Sequence, residues 1–225
     1  MIDNFTLRDY THLCMVSEKP YRFNIHPISG QREAWDCMKH MILVTSPPAC
    51  GKSFVTDKLA RALKNCVYLD KDSLLVLSAQ IFKVANQPNN RSSQFFEDNV
   101  RNYEYDAILE VAFEALKYND YVLINAPFTR EVKNPQYIAE LRAKLAALDT
   151  VLEVVWVRAD EEVCHQRMLA RNSSRDYWKL EHWDEYIKTR DFTPPPIDNL
   201  HIINNSTETS YIEDMNKFLE DMKKE

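Results

Sequence analysis

Glycine occurs only twice in these 225 residues, at Gly30 and Gly51. With so little of the residue that most easily takes a left-handed backbone, the turns are expected to rely on Asn, Asp, Ser and Pro. There is no run of 18 apolar residues and no N-terminal apolar stretch of signal type, so neither a membrane span nor export is expected. Basic blocks are missing too, and the net charge is −6, which does not favour duplex nucleic acid as a general electrostatic partner. The five cysteines, at positions 14, 37, 50, 66 and 164, form no CxxC pair and are odd in number. Reduced thiols in a cytoplasmic enzyme account for them better than a disulfide framework or a zinc site. Asp9, His12 and His26 have no metal-ligand spacing. No internal repeat or low-complexity tract is found.

What the chain does contain is 45% apolar residues, enough for one sizeable core. It is organised around Met41–Ala60, MILVTSPPACGKSFVTDKLA. An apolar strand leads into a tight loop ending Gly51-Lys52-Ser53, and a helix follows with Val55, Leu59, Ala62 and Leu63 on one face. Strand, loop and helix in that order favour a phosphate-binding loop over a chance Gly-Lys-Ser before a core helix. Loop amides and the helix N-terminus converge on an anion, Lys52 reaches the β- and γ-phosphates, and the Ser53 hydroxyl meets Mg²⁺. The usual first glycine is Ser46, and Ala49 and Cys50 stand where small residues are common. The loop therefore leans on Pro47 and Pro48 for its shape. Pro48, Ala49, Cys50, Gly51, Lys52, Ser53 and Phe54 are the expected nucleotide contacts in this segment, and the helix N-terminus favours a thiolate at Cys50, a liability to oxidation or alkylation rather than a nucleophile.

Residues 1–40 read as an N-terminal extension, ending in a short helix from Gln31 to His40. Residues 41–225 form the main domain. Its expected strands are Met41–Thr45, Cys66–Leu69, Tyr121–Ala126, Val151–Val157 and Leu200–Ile203. The expected helices run from the loop to Lys64, then Leu74–Ala85 with Ser73 as cap, Ser93–Tyr118, Gln136–Ala147, Glu161–Arg171, Leu180–Arg190 and Ser210–Met222. Along Ser93–Tyr118, Val100, Tyr103, Ala107, Val111 and Leu116 form the apolar face, with Glu97, Asp98, Glu104, Glu110 and Glu114 mostly outward. Alternation of strand and helix predicts an α/β fold: an open, mostly parallel sheet with helices on both faces. Ligands of such sheets lie beyond the carboxyl ends of the strands, where the loop, Asp70, Asp72, Asn125 and Arg130 all fall.

Asp70 and Asp72 leave strand two with one residue between them. One carboxylate can face a metal and the other the attacking hydroxyl; Asp72 with Ser73 could also cap the next helix. Arg167, Arg171 and Arg175 recur every four residues and could close over phosphates as a lid, spanning about residues 167–180, or could form a solvated basic face paired with Glu161, Glu162 or Asp176. Asn125 either holds a metal-bound water or is structural. Arg101, Arg130 and Arg175 are candidate substrate groups, or else surface residues.

SPPACGKS, YLDKDSLL, VLINAPFTREV and VVWVRADEEVCHQRMLARNSSRD together resemble the small P-loop kinases of the gluconate and shikimate kinase type, an AAA-type ATP-binding group. They are closest to the looser set that includes chloramphenicol phosphotransferase, zeta toxin and the kinase part of polynucleotide kinases. The resemblance runs from Met41 to Ile203. It implies a three-layer fold with a five-stranded parallel sheet of order 2-3-1-4-5, an arginine-bearing lid, ATP and Mg²⁺ as cofactors, and a hydroxyl acceptor. By position it makes Lys52 and Ser53 the phosphate and metal groups, Asp72 the general base and Arg171 a lid arginine. Asp70 would then be the magnesium carboxylate, and Arg167 would face the nucleotide.

The expected activity is therefore transfer of the ATP γ-phosphoryl to a hydroxyl of a small-molecule or nucleotide-like acceptor. A DNA or RNA hydroxyl is a possible but unfavoured acceptor. A nucleotide-binding ATPase or switch module is the alternative from another class.

Overall fold

The structure is a computed structural model that describes residues 38–173, 176–188 and 191–223. The unit that holds the fold runs from Cys37 to Glu225. Five strands form one parallel sheet in the order β2-β3-β1-β4-β5. They are β1 (Lys39–Thr45), β2 (Cys66–Asp70), β3 (Tyr121–Asn125), β4 (Thr150–Arg158) and β5 (Leu200–Asn204). The register places Val44 opposite Asn125 and Thr45 opposite Trp156, so the exits of β1, β3 and β4 lie side by side. The expected strand order holds.

Apolar residues alternate between two cores, one on each face of the sheet. Met41, Leu43, Ile124 and Val154 pack under α4 (Asn102–Ala115) and α5 (Pro135–Ala146). Ile42, Val44, Leu123 and Val155 pack under α1 (Lys52–Ala62), α6 (Glu161–Arg171) and α9 (Glu208–Asp221). Strands covered on both faces need near-continuous apolar sequence, which is what β1 and β4 carry. No helix of the described residues is long and apolar enough to cross a membrane.

Scarcity of glycine is met as expected: Asn65, Asn86, Asp149, Asn172 and Asn199 take positive φ at turns. Several boundaries differ from expectation. Lys39 and His40 belong to β1 rather than to a helix, and positions 31–37 of that expected helix lie outside the described residues. Ser73 caps nothing. Asp70 accepts from the Asp72 amide at 2.9 Å and starts a 3-10 turn (Lys71–Leu74), from which α2 (Leu75–Val84) continues. The expected helix Leu180–Arg190 is two short ones, α7 (Tyr177–Glu181) and α8 (Trp183–Lys188), which break at His182. The last helix starts at Glu208 because Thr207 and Ser210 form a capping box.

The helix after the Asn86–Arg91 loop shows the largest departure. It begins as α3 (Gln94–Phe96), passes through a π-helical turn (Glu97–Arg101) and continues as α4. The extra residue of a π turn rotates everything after it by about 100° relative to an unbroken α-helix. Tyr105, Ile108, Ala112 and Leu116 are therefore buried, whereas Tyr103 is 66% exposed and Val111 50%. The same rotation turns Glu104 inward, where it is 4% exposed, against the expectation that it faces solvent. Its carboxylate receives Lys71 at 2.6 Å, both terminal nitrogens of Arg91, and the Ser78 hydroxyl. Burial alone would raise its pKa; the bonds from Arg91, Lys71 and Ser78 overcome this and hold it at about 2.

Candidate active site

The loop between β1 and α1 is held by its backbone. Ala49 takes φ 66° and Gly51 φ 87°, two left-handed residues with only Cys50 between them. At Gly51 a side chain is excluded twice over: a Cβ there would stand 2.1 Å from the Asn205 amide nitrogen. The Cys50 carbonyl accepts from Asn205 Nδ2 at 2.8 Å and from Arg167 at 3.2 Å. A trans peptide then turns the Gly51 N–H the opposite way, away from both donors. Arg167 also donates to the Asn205 carbonyl at 2.8 Å. Asn205 lies just past the exit of β5. Sequence reasoning missed it, although the strand-exit rule applies to β5 as well as to the others.

Lys52 opens α1 and is largely buried. Its ammonium donates to the Asn125 carbonyl oxygen. Burial pulls its pKa down to about 8, partly offset by the charges of Asp70 and Asp72. A cation kept short of solvent in this way gains strongly from an anion placed beside it.

Asn125, at the end of β3, is the hub. Its amide nitrogen donates to Ser53 Oγ at 3.2 Å, Asp70 Oδ2 at 2.8 Å and the Tyr68 hydroxyl at 3.1 Å. Tyr68 in turn donates to Asp70 Oδ2 at 3.0 Å; burial first, then Asp70, raises its pKa to about 12, so it stays a donor. The hydroxyl and the carboxylate expected to meet a metal thus flank one amide. Among the described residues no cluster of three or more His, Cys, Asp or Glu forms a metal cage. One exposed hydroxyl and one carboxylate fit Mg²⁺ that arrives on phosphate oxygens and keeps most of its waters.

Asp72 is exposed, and its charge registers on Lys52 and on Arg91. On the other flank of the loop a cleft of about 760 Å³ is lined by Gly51, Phe54, Arg167, Asn205, Thr207 and Tyr211. Phe54 is 49% exposed, and its ring meets Tyr211 at 5.2 Å between centroids. Such a cleft, with aromatic edges beside a phosphate loop, suits a nucleobase.

Other arginines singled out from the sequence are occupied. Arg171 donates to the fully buried Asp176, which also receives Lys179 at 2.9 Å. Arg101 donates to Glu131 at 2.7 Å, and its guanidinium lies 4.6 Å from the Tyr105 ring centre. Arg130 makes two bonds to Glu97, at 2.7 and 3.2 Å. Arg175 lies outside the described residues. The expected Cys50 thiolate is not favoured. A hydrogen bond to Cys164, then burial, push the Cys50 thiol well above its ordinary value, and this outweighs the helix N-terminus.

Residues 41–193 match the family model described as an AAA domain. A candidate kinase from Chloroflexus aurantiacus shares the fold at 18% identity with a TM-score of 0.56, over 83% of this chain and 98% of its own. A sugar kinase from Janibacter sp. HTCC2649, solved without ligand, does so at 11% identity with a TM-score of 0.50, over 81% and 93% of the two chains. Among curated proteins none matches the sequence. With the family match covering well over half of its length, the chain belongs to the AAA domain family and carries the fold of the small P-loop kinases.

Proposed function

We propose that the protein transfers the γ-phosphoryl group of ATP to a hydroxyl of a small-molecule or nucleotide-like acceptor. The observation that carries this reading is the Asn125 side chain, which joins Lys52 and Ser53 of the loop to Asp70 of β2. A phosphate grip and a metal carboxylate are thereby gathered at one point, as in-line phosphoryl transfer requires.

In this scheme the loop amides and Lys52 hold the β- and γ-phosphates, and Arg167 with Asn205 fixes the loop beneath them. Ser53 and Asp70 would hold Mg²⁺, which would supply neutralisation of the charge that develops on the phosphates. Asp72 accepts the proton of the acceptor hydroxyl as its oxygen bonds to phosphorus. The bond from the γ-phosphorus to the bridging oxygen breaks, and ADP leaves. Arg171 reaches the transferring group only by exchanging Asp176 for phosphate, which is a lid movement.

A strand of DNA or RNA is the less supported acceptor. Arg91, Arg101 and Arg130 could have followed a backbone, but they are already matched to Glu104, Glu131 and Glu97. Each would have to leave a carboxylate before meeting a phosphate. We place the activity in the cytoplasm, a reading supported by the free thiols of Cys50, Cys66 and Cys164.

The test is a screen with γ-labelled ATP across sugars, nucleosides, amino-alcohol antibiotics and oligonucleotides. Label should appear on an acceptor with wild-type protein, disappear with Lys52→Ala, and disappear with Asp72→Asn while ATP binding is nearly intact. Near-normal transfer by Asp72→Asn would remove Asp72 from the role of base. Steady hydrolysis indifferent to every acceptor would favour an ATPase module.

A further inference from the structure

Cys50 and Cys164 are both fully buried, and their sulfurs lie 3.7 Å apart. Cys50 belongs to the phosphate loop. Cys164 sits on α6, the helix that also carries Arg167 and Arg171. No step of phosphoryl transfer uses either sulfur. The two thiols are not equivalent. The Cys50 hydrogen bond, aided by the Arg167 charge, outweighs burial and holds Cys164 below the ordinary thiol value, while Cys50 is raised. The contact at 3.7 Å lets one sulfur donate to the other, and a thiolate so supported is the form that attacks an oxidant.

We propose that Cys50 and Cys164 are an oxidative modification site, joined as a reversible disulfide by a peroxide, and that this crosslink withdraws the phosphate loop from nucleotide. The proposal rests on the nucleotide reading of that loop. Chemically, the Cys164 thiolate attacks a peroxide oxygen. An S–O bond forms and the O–O bond breaks. The departing hydroxide takes up the proton that the thiol lost, leaving water and a sulfenic acid on Cys164. The Cys50 thiol then attacks that sulfur. An S–S bond forms, the S–O bond breaks, and a second water leaves with the Cys50 proton. The two thiols give up two electrons, and one peroxide becomes two waters.

The loop has no slack to absorb the bond. The sulfurs must close from 3.7 Å to about 2.05 Å. Cys50 cannot follow freely, because its carbonyl is held by Asn205 and Arg167 and its neighbour Gly51 is seated against Asn205. Pulling Cys50 toward α6 rotates the Cys50–Gly51 peptide, and with it the amides that open α1 toward the phosphates. The crosslink also ties the arginine-bearing helix to the loop. Because both sulfurs are buried, oxidation waits on local opening and is slower than at an exposed thiol.

The experiment treats full-length protein with hydrogen peroxide and digests it without reduction for peptide mass spectrometry. Affinity for a fluorescent ATP analogue is measured before oxidation, after it, and after dithiothreitol. The expected result is a linked Cys50–Cys164 peptide, affinity weaker by about tenfold, and recovery on reduction. Cys164→Ser should keep the reduced-state affinity and lose the oxidative response, and Cys164→Ala provides the same test if the serine variant does not fold. Recovery of both thiols unlinked would overturn the proposal. So would a linked peptide with unchanged affinity, or a response that persists in both variants. Reduced protein that binds no ATP would sink the nucleotide reading and the affinity half of the proposal, while the linked peptide still decides the pair.

Discussion

The Asn125 side chain bridges Lys52 and Asp70, taking the ammonium on its oxygen and offering its nitrogen to the carboxylate at 2.8 Å. An uncharged residue thus holds a cation and an anion in place without neutralising either. A carboxylate at the same point would pair with Lys52 and repel Asp70. The amide instead leaves both charges unneutralised, as the roles proposed for Lys52 toward phosphate and for Asp70 toward a metal require.

Asn125→Ala should weaken ATP binding by about tenfold or more, because one bond to a charged group and its partner geometry are lost together. Titration calorimetry of the variant against wild type reads this directly. Unchanged affinity would mean that Lys52 is positioned by the helix alone.

Lys52 supplies the pH dependence. Its pKa is depressed to about 8, so the charged form prevails below that pH and is lost above it. Affinity of the free protein for ATP should hold from pH 6 to 7 and decline as the pH passes about 8. Bound triphosphate stabilises the charged form and raises the Lys52 pKa in the complex, so the decline should continue until the pH passes that higher value. A profile flat to pH 10 would contradict a buried Lys52.

The two left-handed loop residues should respond differently to substitution. Gly51→Ala meets both an unfavourable φ and Asn205 at 2.1 Å, and should abolish nucleotide binding. Ala49→Gly relieves a positive φ of 66° and should leave binding intact, with a stability change within about 1 kcal/mol. Thermal melts with and without ATP distinguish the two.

Glu104 carries a structural prediction. Glu104→Ala leaves Lys71 buried without its partner and should cost about 3–5 kcal/mol of stability, read by urea unfolding. Because the folded-state pKa of Glu104 is depressed to about 2, its contribution is complete above its unfolded value and is lost as pH falls through the folded one. Wild-type protein should therefore lose stability between about pH 4.5 and pH 2, and a Glu104→Gln variant should lose less across that range.

Much of the fold was open to reading from the chain alone, because its signals are local. Apolar β1 and β4, the Gly51-Lys52-Ser53 turn and the helix that follows depend on neighbours in sequence, and their period and spacing survive in one dimension. The π turn at Glu97–Arg101 has no such signature. One inserted residue shifted the buried face of the next helix by a single position, so Glu104 exchanged solvent for Lys71 and Arg91.

The sequence by itself determined the phosphate loop, the paired acids at the exit of β2 and the strand order that the family resemblance implied. Only the tertiary structure decided what those groups touch. It set Asn125 between Lys52 and Asp70, brought Asn205 and Arg167 to the loop from 155 and 117 residues away, and matched Arg101 and Arg130 to Glu131 and Glu97. Pairing across such distances is settled when the sheet closes and buried charges find partners, and no spacing along the chain records which partner each will find.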